Sequence, residues 1–325
     1  MYLVTGGSGF IGSNLVKFLN ENLMLDVCVV DWINESNKRN IEKRTNITIV
    51  SPENIKKFLG YNKKKIELII HLGAITSTTE TNAKLILKNN IDLSLSLWDW
   101  CTKYKKRFIY ASSAATYGDG NRGFDDTNSI QSLSQLQPLN LYGWSKHIVD
   151  KFFLNESKKK CPPQWVGLKF FNVYGPNEYH KGEMKSIVYK IYENLCKNKI
   201  VNLFKSHNKN FLDGEQLRDF IYVKDVISII HWFIQKEKLS GIFNVGSGKA
   251  RTFNDLAENV FKFMNENKKI TYIDTPHEIR SKYQYFTEAK IKNLRKIGYK
   301  KKIFSLEEGI EDYVKNYLLK KDKFN

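Results

Sequence analysis

The first twelve residues, MYLVTGGSGFIG, constrain this chain more than any other stretch. Tyr2 to Thr5 are apolar and β-prone. Gly6, Gly9 and Gly12 come next at three-residue intervals, and Phe10 to Leu19 carries a helical spacing of apolar residues. Strand, glycine turn and helix in that order form a dinucleotide-binding unit. Gly6 supplies a tight turn at positive φ. Gly9 lets the backbone approach a pyrophosphate, and Gly12 lets the helix lie close on the sheet. The helix start then offers free N–H groups and the positive end of its dipole to the phosphates.

The same alternation continues downstream. Val27 to Asp31, Ile47 to Val50, Glu67 to His71 and Arg107 to Ala111 read as strands, and Thr81 to Lys103 as a long amphipathic helix containing Asn89 and Asn90. A further helix is expected from Leu141 to about Lys158, and a strand at Trp165 to Phe170. Strands alternating with helices and no linker between them predict an α/β fold, a doubly wound parallel (Rossmann) sheet. Beyond Asn172 the pattern loosens, and segments near 184–200, 253–267 and 305–320 read as helical. The expected organisation is a dinucleotide-binding domain of residues 1–171 plus about 218–245. The rest, about 172–217 and 246–325, forms a smaller, mostly helical substrate lobe. Ligands of such a sheet lie at the carboxyl ends of its strands. Asp31 closes the second strand about twenty residues after the glycines, where an acid holds an adenosine ribose. Lys38 nearby is a cation suited to a 2′-phosphate, so the residues alone leave NAD and NADP both open.

The net charge of +18 raises the question of nucleic acid. The lysines are scattered, however, with clusters such as Lys63-Lys64-Lys65 and Lys158-Lys159-Lys160 where loops and helix ends are expected, and no nucleic-acid motif accompanies them. A solvated basic surface is the expectation, with no nucleic-acid and no membrane partner. Cys28, Cys101, Cys161 and Cys196 form no CxxC pair and no zinc pattern, which suits reduced thiols in a cytoplasmic enzyme without a metal. With the glycine motif starting at Met1, no targeting peptide is expected, in keeping with that compartment.

The chemistry centres on Tyr142 and Lys146, four apart and so on one helix face. A phenol with a pKa of about 10 is a poor base at neutral pH, and a neighbouring ammonium favours the phenolate. Ser113, at the end of the fifth strand, can hydrogen-bond the same substrate oxygen. The trio would take a hydroxyl proton as the carbon-bound hydride leaves for a nicotinamide.

With TGGSGFIG, the strand-end serines and YxxxK in place, the chain resembles the extended short-chain dehydrogenase/reductases. The stretches HLGAITSTTE (71–80), YASSAATYG (110–118), PLNLYGWSK (138–146), FNVYGP-E-HKG-M (171–184), LRDFIYVKDV (217–226), GIFNVGSGKA (241–250) and KYQYFTEA (282–289) sharpen this to the ADP-L-glycero-D-manno-heptose 6-epimerase family. That resemblance implies inversion at C6 of the heptose of an ADP-sugar destined for the lipopolysaccharide inner core. It implies a 6-keto intermediate, retained NADP rather than NAD, and a homo-oligomer. It also implies two acid/base groups, Tyr142 and Lys181. Family cofactor contacts fall on Phe10, Ile11, Asp31, Trp32, Lys38, Leu72, Gly73, Ala74, Ile75, Thr76, Asn89, Lys146, Val173 and Lys181. Substrate contacts fall on Ser113, Asn172, Glu183, Lys190, Phe204, Arg218 and Tyr283.

The chain departs from the family pattern at Trp32, Leu72, Asn177, Tyr179 and Glu183. Rival readings are a UDP-hexose 4-epimerase, which lacks the HKG lysine, and a non-catalytic cofactor sensor, which would lose the tyrosine or Lys146. For Arg218, the competing expectation is a salt bridge to Asp219.

Overall fold

A computed structural model describes residues 1–197, 200–280 and 283–324. Its strands are β1 (Tyr2–Thr5), β2 (Val27–Val30), β3 (Ile47–Val50), β4 (Leu68–His71), β5 (Arg107–Ser113) and β6 (Trp165–Phe170). They continue with β7 (Asn172–Tyr174), β8 (Val201–Phe204), β9 (Leu217–Tyr222), β10 (Gly241–Val245), β11 (Ala250–Thr252) and β12 (Ile270–Ile273). Seven of them form one parallel sheet in the order β10-β6-β5-β4-β1-β2-β3. The order reverses direction beside β1, so β1 and β4 flank the crevice that such sheets use for ligands.

The central strands are apolar because helices cover both faces. Side chains alternate across the sheet with period two. Leu3, Ile69 and Phe108 therefore join a core with Trp98, Phe153 and Trp165, while Val4, Ile70 and Ile109 join another with Leu15, Val16, Ile230 and Phe233. Trp98 stacks on Phe153 at 4.2 Å and 8°, fixing the helix Leu93–Tyr104 against the helix Leu141–Glu156 that carries Tyr142.

The helix expected over 81–103 is not uniform. Asn82 caps it through the Leu85 amide, and a wider π-type turn, Leu87–Asp92, interrupts it before it resumes to Tyr104. A π turn holds one extra residue and rotates the residues downstream of it, a feature common near functional sites. Here Asn90 points inward.

The C-terminal part holds more strand than its periodicity suggests: β11-β9-β7 form a small mixed sheet, and β12 pairs with β8. All but β9 are only three or four residues long, too short to show a clear alternation. Around them Tyr174, Val188, Ile191, Leu203, Tyr222, Leu256, Val260, Ile310 and Tyr313 form a separate core, into which Phe10 reaches from the first helix. Among the described residues no helix is long and apolar enough to cross a membrane.

Candidate active site

The glycine turn is built as its spacing predicts. Gly6 sits at φ +68° against Gly73, where a Cβ would lie 2.6 Å from the Gly73 amide nitrogen. A Cβ on Gly12 would overlap the Gly6 carbonyl, so glycine there lets the helix seat directly on the turn. Gly9 is the N-cap of the helix Phe10–Lys17; no side chain caps that end and no acid occupies its first turn. The N–H groups are thus open to a pyrophosphate, and the residues fit a dinucleotide. Gly12→Ala is expected to cost about 1–3 kcal/mol, as overpacking does, which a shifted urea midpoint at unchanged slope would register.

Around the turn, Asp31 stands one residue past β2. One carboxylate oxygen accepts the Ser8 amide (2.9 Å) and hydroxyl (2.5 Å), and the other accepts the Trp32 amide. Trp32 is half exposed, its indole donating to Glu53. Lys38 pairs with Glu35 at 2.6 Å on the surface. Leu72, Gly73, Ala74, Ile75 and Thr76 come after β4 as a loop anchored from two sides: the Gly73 amide donates to Thr5, and the Ile75 amide donates to Asn90. Asn90 also donates to the Ile75 carbonyl and to Ser145. Asn89, the residue singled out in the sequence, spends its amide on the Leu85 carbonyl of its own helix. Val173 and Ile11 pack against the core that Phe10 joins.

Ser113 and Tyr142 come together for a steric reason. A Cβ on Gly143 would lie 2.7 Å from the Ala115 carbonyl, so glycine brings the helix onto the turn just beyond Ser113. The Tyr142 phenol then hydrogen-bonds Ser113. Burial raises the pKa of Tyr142, with only the Ser113 bond opposing it and Asp150 adding to it. This corrects the expectation that Lys146 would lower it: desolvation of the phenolate dominates. Burial likewise brings the Lys146 ammonium down to about 8, against the pull of Asp150.

Beneath the trio lies a buried polar group that the sequence alone did not point to. Asp150 pairs with Lys169 at 2.8 Å, both with almost no exposure, and accepts hydrogen bonds from Tyr110 and Ser112. Lys169 also donates to Thr116. A signal existed: a lysine inside the apolar strand WVGLKF requires a buried partner.

Lys181 lies beyond the turn at Gly175 and Pro176. Its ammonium is 5.4 Å from the centre of the Phe10 ring at the head of the dinucleotide helix. No carboxylate is within 4 Å of it among the described residues. Burial lowers its pKa, Glu178 partly opposing.

The lobe gathers Phe204, Arg218 and Tyr283. The Arg218 guanidinium lies over Tyr283 at 5.2 Å and Phe253 at 5.6 Å, and donates to the carbonyls of Leu217 and Gln284. Phe204 meets Tyr283 edge-on. The alternative pair with Asp219 does not form. That carboxylate instead accepts from the amides of Ser247, Gly248 and Ala289 and from the Ser247 hydroxyl. Arg218 is therefore a buried cation with no acid within 4 Å among the described residues, an arrangement suited to an anion. Asn172 bridges to the Asp219 carbonyl and to Thr287. Glu183 and Lys190 pair with each other at 3.2 Å, Glu183 fully in solvent. Lys282, which opens the last quoted motif, lies outside the described residues.

The model of the NAD dependent epimerase/dehydratase family matches residues 2–246. The chain belongs to this family. It is 46% identical over 333 residues to the ADP-L-glycero-D-manno-heptose-6-epimerase of Fusobacterium nucleatum, with both chains covered in full. It is 42% identical to the protein of that name from Nitratidesulfovibrio vulgaris strain DP4, again over both whole chains. Among solved structures it resembles Helicobacter pylori ADP-L-glycero-D-manno-heptose-6-epimerase, at 31% identity and a TM-score of 0.79, covering 97% of this chain and 95% of that one. It also resembles a UDP-N-acetylglucosamine 4-epimerase from Methanobrevibacter ruminantium, at 25% identity and TM-score 0.82, covering 97% and 96%. Within the family the chain thus groups with the heptose epimerases in sequence and shares its fold with epimerases of other nucleotide sugars.

Proposed function

We propose that the enzyme inverts C6 of the heptose in ADP-glycero-manno-heptose, through a 6-keto intermediate, as a step toward the lipopolysaccharide inner core. The observation that carries this reading is Lys181 at the head of the dinucleotide helix, on an element other than Tyr142's. It is half-buried and, among the described residues, unpaired with any acid. Inversion exchanges hydroxyl and hydrogen at one carbon, so one base fixed on one face cannot serve both epimers. The full-length likeness to enzymes of that name supports the same substrate.

In this reading Tyr142 exchanges the hydroxyl proton of one epimer, held by Ser113, and Lys181 that of the other. Lys146 orients the nicotinamide ribose, and Arg218, Tyr283, Phe204 and Asn172 hold the nucleotide diphosphate and sugar. Glu183 and Lys190 lie at the rim. A nicotinamide bound there would supply the hydride acceptor and donor for that carbon. We place the cofactor on Gly6, Gly9, Gly12 and the 72–76 loop. NADP is favoured over NAD: both Asp31 oxygens already accept hydrogen bonds, and Lys38, which a 2′-phosphate would draw from its exposed pair with Glu35, is the cation suited to it. The domain division is residues 1–171 with about 218–245 for the nucleotide, and about 172–217 with 246–325 for the sugar. The setting is a cytoplasmic homo-oligomer.

The test has two readouts. Denatured protein analysed by mass spectrometry should release NADP(H) in excess of NAD(H); the reverse would restore Asp31 as the selector. Proton NMR should track conversion of ADP-heptose and no conversion of UDP-galactose. Turnover of UDP-galactose alone would make the enzyme a 4-epimerase, and turnover of neither would favour a cofactor sensor.

A further inference from the structure

The segment 322–324 touches two separate parts of the site. On one side Asp322 pairs with Lys43 at 2.9 Å and with Arg39 at 3.8 Å. The Lys43 ammonium also donates to the Phe324 carbonyl, and the Arg39 guanidinium lies 4.2 Å over the Phe324 ring. On the other side the Tyr179 hydroxyl donates to the Lys323 carbonyl at 2.7 Å, and the Tyr179 ring meets Phe324 edge-on at 5.1 Å. The Lys323 ammonium donates to the Tyr189 hydroxyl at 2.7 Å.

These two sides are already joined once, on the inside. Asn40, between Arg39 and Lys43 in sequence, is buried. It donates to the Ser8 carbonyl of the glycine turn (2.8 Å) and to the Asn177 carbonyl (3.3 Å), and it lies 3.2 Å from the His180 ring. Tyr179, His180 and Lys181 are consecutive. A ring of contacts thus runs from the glycine turn through Asn40 to the Lys181 loop, on through Tyr179 to the tail, and back through Asp322 to Arg39 and Lys43. Exposed ion pairs are weak one at a time. Here they act with a cation–π contact, an aromatic pair and three charged or neutral hydrogen bonds on one short segment, so losing one loosens the rest.

We propose that 322–324 is a positioning clasp: it locks the 38–44 segment, on the dinucleotide side, to the loop that carries Lys181. The part concerning Lys181 rests on the function proposed above. The clasp also gives Tyr179, which departs from the family pattern, a role in seating the tail.

The test uses the full chain with Phe324→Ala and, separately, Tyr179→Phe, which removes only a hydroxyl. Both should melt as cooperatively as wild type. Release of bound NADPH and NADH, monitored by nucleotide fluorescence without any sugar, should quicken about tenfold, the equivalent of about 1.4 kcal/mol. Phe324→Tyr, which keeps the ring under Arg39, should restore slow release. With ADP-heptose, the reaction direction that depends on Lys181 should fall more than the one that depends on Tyr142. Wild-type release of both nucleotides overturns the clasp, and so does an equal fall in both directions with wild-type release. The nucleotide readout needs no sugar. A protein that turns over no ADP-heptose yet shows tail-dependent release therefore keeps the clasp and refutes the substrate.

Discussion

Tyr142→Phe is expected to lower epimerisation by about 10²–10⁴-fold, the usual contribution of general acid–base catalysis, while fold and bound nucleotide survive. The substitution removes one oxygen whose partner is Ser113 and leaves the ring in place. The helix keeps its Asn140 cap on the Gly143 amide, and the Trp98–Phe153 stack still holds it to its neighbour. Chemistry is what the change addresses. In this pocket burial favours the neutral phenol, and the Ser113 hydrogen bond is what favours the phenolate. Circular dichroism and released-nucleotide analysis should match wild type as turnover collapses. A purified Tyr142→Phe enzyme that epimerises at near wild-type rate would remove Tyr142 from the mechanism.

The parts of this site that are legible in the sequence are those encoded by short spacing. GxxGxxG fixes its own turn because each glycine answers a local steric demand. YxxxK is one helical turn. The register of β1, β2 and β4 comes from four-residue apolar runs bounded by turn residues. The features hidden from the sequence depend on contacts made over long separations. Asp150, one turn past Lys146, reads as a surface charge until β6 brings Lys169 to it. Asn90 looks no more functional than Asn89 on a regular helix, and the π turn decides which asparagine faces Ile75. The direction of the Tyr142 shift is also hidden. A four-residue spacing reports the nearness of a cation but not the depth of burial, and here desolvation is the larger effect. Arg218 next to Asp219 suggests an ion pair, yet consecutive strand residues face opposite ways. The arginine goes to Tyr283 and Phe253 and the aspartate to the 247–248 turn.

Lys181→Met should abolish epimerisation while leaving a one-directional half-reaction. Methionine keeps an unbranched apolar stem of similar reach and removes the ammonium, so the contact with Phe10 loses its charge but not its packing. The loop itself is held from elsewhere. The buried Glu178 carboxylate accepts from the Ser186 amide, the Ser186 hydroxyl at 2.7 Å, the Gly175 amide and the Tyr313 hydroxyl at 3.2 Å, none of which involves the Lys181 ammonium. Glu178 raises the pKa of Lys181 less than burial lowers it. A surface lysine behaves differently: Lys190 has Glu183 at 3.2 Å. A half-buried amine without an acid partner is what a lysine base needs at neutral pH. Given a 6-keto analogue of the ADP-sugar and a reduced cofactor, Lys181→Met should deliver hydride with Tyr142 as proton donor and form one configuration at C6. Tyr142→Phe should form mainly the other. Product configuration, read by NMR, separates these outcomes from a general loss of activity. The same configuration from both variants would mean that one group serves both faces. Wild-type epimerisation by Lys181→Met would return Lys181 to the rank of an ordinary lysine.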